Sequence, residues 1–125
     1  MATRAIIARP TEGGGFTGRY LHQDGTPDTA VGLLRDFVLN VHGGDVEAAT
    51  RFLLDEHPNG WLNLPASDGG GVCFCHDGDG FDMGLFTDQT DGEGQYAYVL
   101  FPDRLEVLAR TGDGWQKIRT TAWTN

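Results

Sequence analysis

The densest set of side chains able to act on a small molecule lies in one run, Gly18-Arg19-Tyr20-Leu21-His22-Gln23-Asp24-Gly25-Thr26-Pro27. Alternation along a strand would put Tyr20 and His22 on one face and Arg19 on the other. A phenol, an imidazole and the carboxylate of Asp24 could together hold a ligand or move a proton on it. Thr26 and Pro27 would open a helix whose first N–H groups and positive dipole end attract an anion, with Arg19 as a second anchor. The candidate ligand-binding residues are therefore Arg19, Tyr20, His22, Asp24 and Thr26, and no residue is assigned a catalytic role. The same residues also have a plainer reading, in which Asp24-Gly25 makes a turn and Tyr20 fills a half-buried strand face.

Cys73-Phe74-Cys75-His76 invites a metal, since thiolates and imidazole bind zinc and His22, His42 or His57 could complete the set. The spacing cooperates only in part. Cys73 and Cys75 share a strand face while His76 lies on the other, and one intervening residue is short of the two to four usual in structural zinc sites. The same closeness makes an awkward disulfide ring, so reduced thiols are expected. Cys73, Cys75 and His76 stay a weak metal candidate, and small buried side chains in a core strand are the stronger reading. Asp77-Gly78-Asp79-Gly80-Phe81-Asp82 with Asp88 matches a calcium loop in part, but Phe81 and Asp82 stand where a ligand and a glycine are needed. No phosphate-binding loop, dinucleotide fingerprint, G-x-S-x-G or H-E-x-x-H occurs. No cofactor is expected, and the balance leans away from an enzyme.

These residues need elements to hold them. Arg4 to Ala8 and the alternating Phe16 to His22 read as two strands of a hairpin around Gly13-Gly14-Gly15. Thr26-Pro27-Asp28 supplies an N-cap with proline at the first helical position. Val31, Leu34, Phe37, Val38 and Val41 then fall at helical spacing up to the stop at Gly43-Gly44, which predicts a helix from Pro27 to His42. Asp45 caps a second helix in which Val46, Ala49, Phe52 and Leu53 share a face, ending before Pro58. Asn59 to Gly70 reads as a turn-rich connection, with Trp61, Leu62 and Leu64 folded back onto the core. Val72 to His76, Met83 to Thr87, Tyr96 to Phe101, Leu105 to Arg110 and Trp115 to Thr121 are strand-like runs between Asp and Gly clusters, read as a five-strand meander. The expectation is an α+β fold: one mostly antiparallel sheet, an N-terminal hairpin plus a C-terminal meander, covered by two helices. At 125 residues the chain has room for a single α+β domain over 1–125.

Charge narrows the partner. Nine Lys and Arg against 18 Asp and Glu leave −9, which argues against direct binding to a nucleic-acid backbone or an anionic membrane. From Phe52 to Asp103 there is no Lys or Arg, while Asp55, Glu56, Asp68, Asp77, Asp79, Asp82, Asp88, Asp91, Glu93 and Asp103 are acidic. Such a stretch is either solvated loop tips or an acidic surface that meets a basic protein or mimics nucleic-acid charge. No run approaches the ~20 apolar residues of a membrane span, and the first apolar run is short for a signal peptide, so a cytoplasmic protein is expected. Tyr96 to Phe101 is apolar on both parities, which suggests cover beyond one helical layer, and a homodimer would provide it.

The motif Gly18, Arg19, Tyr20, His22, Asp24, Gly25 and Pro27, written G-R-Y-x-H-x-D-G-x-P, resembles that of small uncharacterised proteins of actinobacteria and their phages or mobile elements. The likeness extends through a similar helix to the Gly-Gly-Asp-Val-Glu-Ala-Ala segment at Gly43 to Ala49. It implies a phage or mobile-element setting and carries no activity over. Size, acidity and missing catalytic motifs point to a non-catalytic binding protein with a protein partner, a regulator or inhibitor of a host protein. The alternative is a small-ligand-binding protein or hydrolase centred on Tyr20, His22 and Asp24.

Overall fold

The computed structural model describes residues 3–23, 25–57, 60–65, 71–73, 85–88, 94–112 and 114–123. Strand β1 (Ala5–Pro10) pairs antiparallel with β2 (Phe16–Leu21), from Ala5 opposite Leu21 to Pro10 opposite Phe16. Helix α1 (Pro27–Asp36) starts with proline at its first turn, where the missing N–H has no intrahelical partner to lose. Helix α2 (Val46–Thr50) is capped by Asp45, whose carboxylate accepts from the Ala48 N–H at 3.0 Å. Along the rest of the chain lie β3 (Trp61–Asn63), β4 (Val72–Cys73), β5 (Phe86–Thr87), β6 (Tyr96–Leu100), β7 (Arg104–Thr111) and β8 (Gly114–Ala122).

The result is α+β, with two helices and one mostly antiparallel sheet of eight strands in the order β4-β3-β2-β1-β6-β7-β8, β5 lying against β2. Two contacts are parallel: β1 with β6, where Ala5 to Ala8 face Tyr96 to Val99, and β2 with β3 at Leu21 and Trp61. The five late runs do not form one meander. Val72–Cys73 pairs with β3 and Phe86–Thr87 pairs with β2, because the outer side of β2 takes β3 at its end and β5 near its start. Only β6, β7 and β8 succeed one another as antiparallel neighbours. The segment read as a connection also contributes β3, since its Trp61 and Leu64 are buried in the helix-side core.

Both helices widen in their last turns into π-helical segments, Phe37–Val41 after α1 and Arg51–Asp55 after α2. The extra residue per turn rotates the later side chains out of α-helical phase. Val31, Leu34, Phe37 and Val38 are accordingly buried, whereas Val41, expected on the same face, is 47% exposed. Gly43 and Gly44, both at positive φ, then turn the chain into α2.

The sheet divides the core by parity. Ala5, Ile7, Leu21, Tyr98, Leu100, Leu105 and Val107 face the helices, while Ile6, Ala8, Phe16, Tyr20, Phe86, Ala97 and Val99 pack on the opposite face. Strand β6 is thus covered on both faces by its own chain, so its two-parity pattern needs no second copy. No helix among the described residues is long and apolar enough to cross a membrane.

Candidate functional site

The Gly18 to Pro27 run begins in β2. Gly18 has no room for a side chain, because a Cβ there would collide with the Ile7 carbonyl oxygen and lie 2.7 Å from Ala8 Cα. Arg19 faces the helices, and its Nε–H donates to the Leu54 carbonyl at 3.0 Å, satisfying an acceptor near the end of the second helix. Tyr20 faces the other side, 4% exposed and stacked on Phe86 with ring centroids 6.1 Å apart. Its hydroxyl lies 2.8 Å from His22 Nδ1, a bond in which either group donates according to the imidazole's protonation. The His22 and Gln23 amides extend the pairing with β3 by donating to the Trp61 and Leu62 carbonyls at 2.9 and 2.8 Å.

Gly25 is the second close approach. A Cβ there would collide with the Thr3 carbonyl oxygen, and the Gly25 carbonyl accepts the buried Tyr98 hydroxyl at 2.5 Å. That burial, more than any neighbouring charge, raises the Tyr98 phenol far above its ordinary value near 10. Thr26 stands at the helix N-cap, where its carbonyl takes the Thr29 and Ala30 N–H groups while its side chain makes no capping bond. Asp24 lies outside the described residues.

The structure therefore brings Tyr20 and His22 together and sends Arg19 through the sheet to the helix layer. Arg19 thus lies on the opposite face of the sheet from the Tyr20–His22 pair, its Nε–H held by the Leu54 carbonyl. The surviving chemical unit is a hydroxyl–imidazole pair able to relay a proton.

For the metal candidates, Cys73 is buried in β4 opposite Trp61, and Cys75 and His76 lie outside the described residues. His42 and His57 flank Phe52 instead of a ligand set: ring centroids lie 5.9 Å and 4.4 Å from it, and His57 Nδ1–H donates to the Phe52 carbonyl at 2.6 Å. Among the described residues no three His, Cys, Asp or Glu side chains gather where they could hold an ion. Of the calcium-loop residues, Asp77, Asp79 and Asp82 are outside the described residues; an Asp88 carboxylate oxygen accepts the Phe16 N–H at 3.2 Å.

The acidic stretch behaves likewise where it is described. Asp55 pairs with Arg9 at 2.9 Å and Asp103 with Arg104 at 2.8 Å. Sequence reasoning passes over the Arg9–Asp55 bridge, which borders a cleft of about 380 Å³ floored by Val46 and Leu100. It reads Trp115 to Thr121 as a strand but not as the exposed edge of the sheet, where Lys117 and Arg119 stand out in an acidic chain. The signal that could have marked this edge is the placing of Arg104, Arg110, Lys117 and Arg119 after the long stretch without a base.

No protein-family model, no curated protein and no solved structure matches the chain.

Proposed function

We propose that the chain is a non-catalytic, acidic interaction protein acting in the cytoplasm, one that binds a host protein and regulates or inhibits it in a phage or mobile-element setting. What supports this reading above all is the engagement of the motif within the chain itself. Gly18 and Gly25 permit close backbone approach, Arg19 holds the Leu54 carbonyl, Tyr20 is buried on Phe86, and Pro27 opens α1. The motif reads as the joint between strand, turn and helix, structural work that already occupies Gly18, Arg19, Tyr20, Gly25 and Pro27. The charge of −9 adds a field that disfavours nucleic-acid backbones and anionic membranes and leaves protein surfaces as the natural counterpart.

The test is affinity capture with the gently purified, folded chain from an actinobacterial lysate, followed by native mass spectrometry. A stoichiometric protein partner, retained at low salt and released as ionic strength rises, is the expected result. A chain folded by circular dichroism that holds no protein above background at any salt overturns the reading.

A second reading is favoured by one distance, the 2.8 Å between Tyr20 Oη and His22 Nδ1. It makes the Tyr20, His22 and Asp24 region a small-ligand site or hydrolase centre. In that case the native spectrum carries a small-molecule mass that His22→Ala abolishes without lowering the melting temperature. If His22→Ala melts early yet keeps the same bound mass, the pair is structural and this second reading falls.

A further inference from the structure

Strand β8 ends the sheet, with β7 as its one neighbour among the described residues. Its residues Gln116 to Thr120 are all exposed, and Ile118 is 49% exposed. A strand in this position presents a row of backbone N–H and C=O groups to any extended chain that can match it. Its side chains decide which chain that is.

The register of β7 and β8 shifts at one point: Val107 faces Arg119 and Leu108 faces Lys117, so Ile118 is the extra, bulged residue. In a regular strand Lys117 and Arg119 would share a face. The bulge separates them, placing Lys117 toward Glu106 on the helix-free face and Arg119 toward Asp28 of α1 on the helix face. Both contacts are long, 3.9 Å, and both cations are about half exposed. Glu106 already accepts from Arg104 Nε at 2.8 Å. The edge is therefore cationic on both sides, and no residue of β8 is acidic.

These charges also exclude the simplest occupant. Two copies paired antiparallel about Ile118 would bring Lys117 diagonally across from the partner's Lys117 on the helix-free face and Arg119 diagonally across from the partner's Arg119 on the helix face, and like charges within reach across a strand pair are unfavourable. An extended segment with carboxylates on alternate faces meets no such repulsion.

Resting on the reading of the chain as an interaction protein, we infer that β8 is its docking edge and that the partner supplies an acidic extended segment, which adds to the sheet as a ninth strand.

The probe is a fluorescein-labelled peptide as long as β8, built of Glu-Glu and Val-Val pairs so that each strand face carries carboxylates, mixed with the isotope-labelled full chain at low salt. Two controls are a Lys–Val peptide and a peptide of equal negative charge with proline at alternate positions. The Glu–Val peptide is expected to bind at least about tenfold more tightly than either control, and to shift the amide resonances of Gln116 to Thr121 before others. Lys117→Glu with Arg119→Glu reverses the preference toward the Lys–Val peptide. If that variant does not fold, Lys117→Gln with Arg119→Gln abolishes the discrimination. Equal binding of the Glu–Val and proline peptides reduces the effect to charge alone and overturns the inference. Shifts centred away from β8, or self-association that protects the β8 amides as concentration rises, also overturn it. A natural partner that binds the charge-reversed chain undiminished overturns the docking edge while leaving the interaction reading intact.

Discussion

Tyr98 shows how one buried hydroxyl couples distant parts of this chain. It lies on β6, fully buried, and donates to the Gly25 carbonyl in the turn that precedes α1. Because burial raises its pKa in the fold, the neutral phenol is the form the native state keeps. Below the ordinary value near 10 both states hold the proton, and the stabilisation is fully present. Above it the unfolded chain loses its proton first, so stability falls as pH rises beyond about 10. Tyr98→Phe removes that alkaline dependence and, by leaving the Gly25 carbonyl without its donor, costs about 1–3 kcal/mol at neutral pH. Denaturant titrations of both proteins at neutral and alkaline pH measure the two effects. An unchanged alkaline slope in Tyr98→Phe would assign the slope to other groups. The residue types do not disclose this coupling, because Tyr98 reads simply as a strand residue, whereas the more conspicuous tyrosine, Tyr20, packs on Phe86 and bonds its neighbour but one.

At the scale of elements, the local signals carry well and the couplings between strands do not. Pro27 at the start of α1, Asp45 as the cap of α2 and the glycine pair between them act through neighbours within a few residues, so the sequence alone places them. The widening of both helix ends has no such local mark, and the helical spacing consequently puts Val41 on the wrong side. The two kinds of glycine can be separated by substitution. At Gly18 a methyl group would meet backbone of β1, which cannot move aside, and Gly18→Ala is expected to destabilise by about 1–3 kcal/mol or more. At Gly32, on the exposed side of α1, nothing lies within 4 Å, and Gly32→Ala should stabilise by about 0.5–1 kcal/mol. Urea midpoints that shift in opposite directions establish the contrast, and a neutral Gly18→Ala would mean that β1 and β2 sit farther apart than described.

Across the whole molecule, Trp123 ties the helix layer to the sheet. Trp123, 5% exposed, donates from Nε1 to the Phe101 carbonyl at 2.7 Å, and its own carbonyl accepts from Arg35 Nη2 of α1 at 3.3 Å. Trp123→Ala is therefore expected to cost about 3–5 kcal/mol, with the loss shared by helix and sheet in one cooperative transition. Separate melting of the helical signal would show the layers to be independent. By itself the sequence determined the class of the fold, the helix starts and caps, the alternation of core positions and the acidic charge, because each depends on residue type or on spacing within a few positions. The tertiary structure alone decided that β1 lies parallel to β6, that β5 pairs with β2, that Arg19 reaches Leu54 and that Lys117 and Arg119 flank the sheet edge on opposite faces. Those choices join segments far apart in the chain, and they arise from how two opposite core faces are filled at once, which no short window of residues encodes.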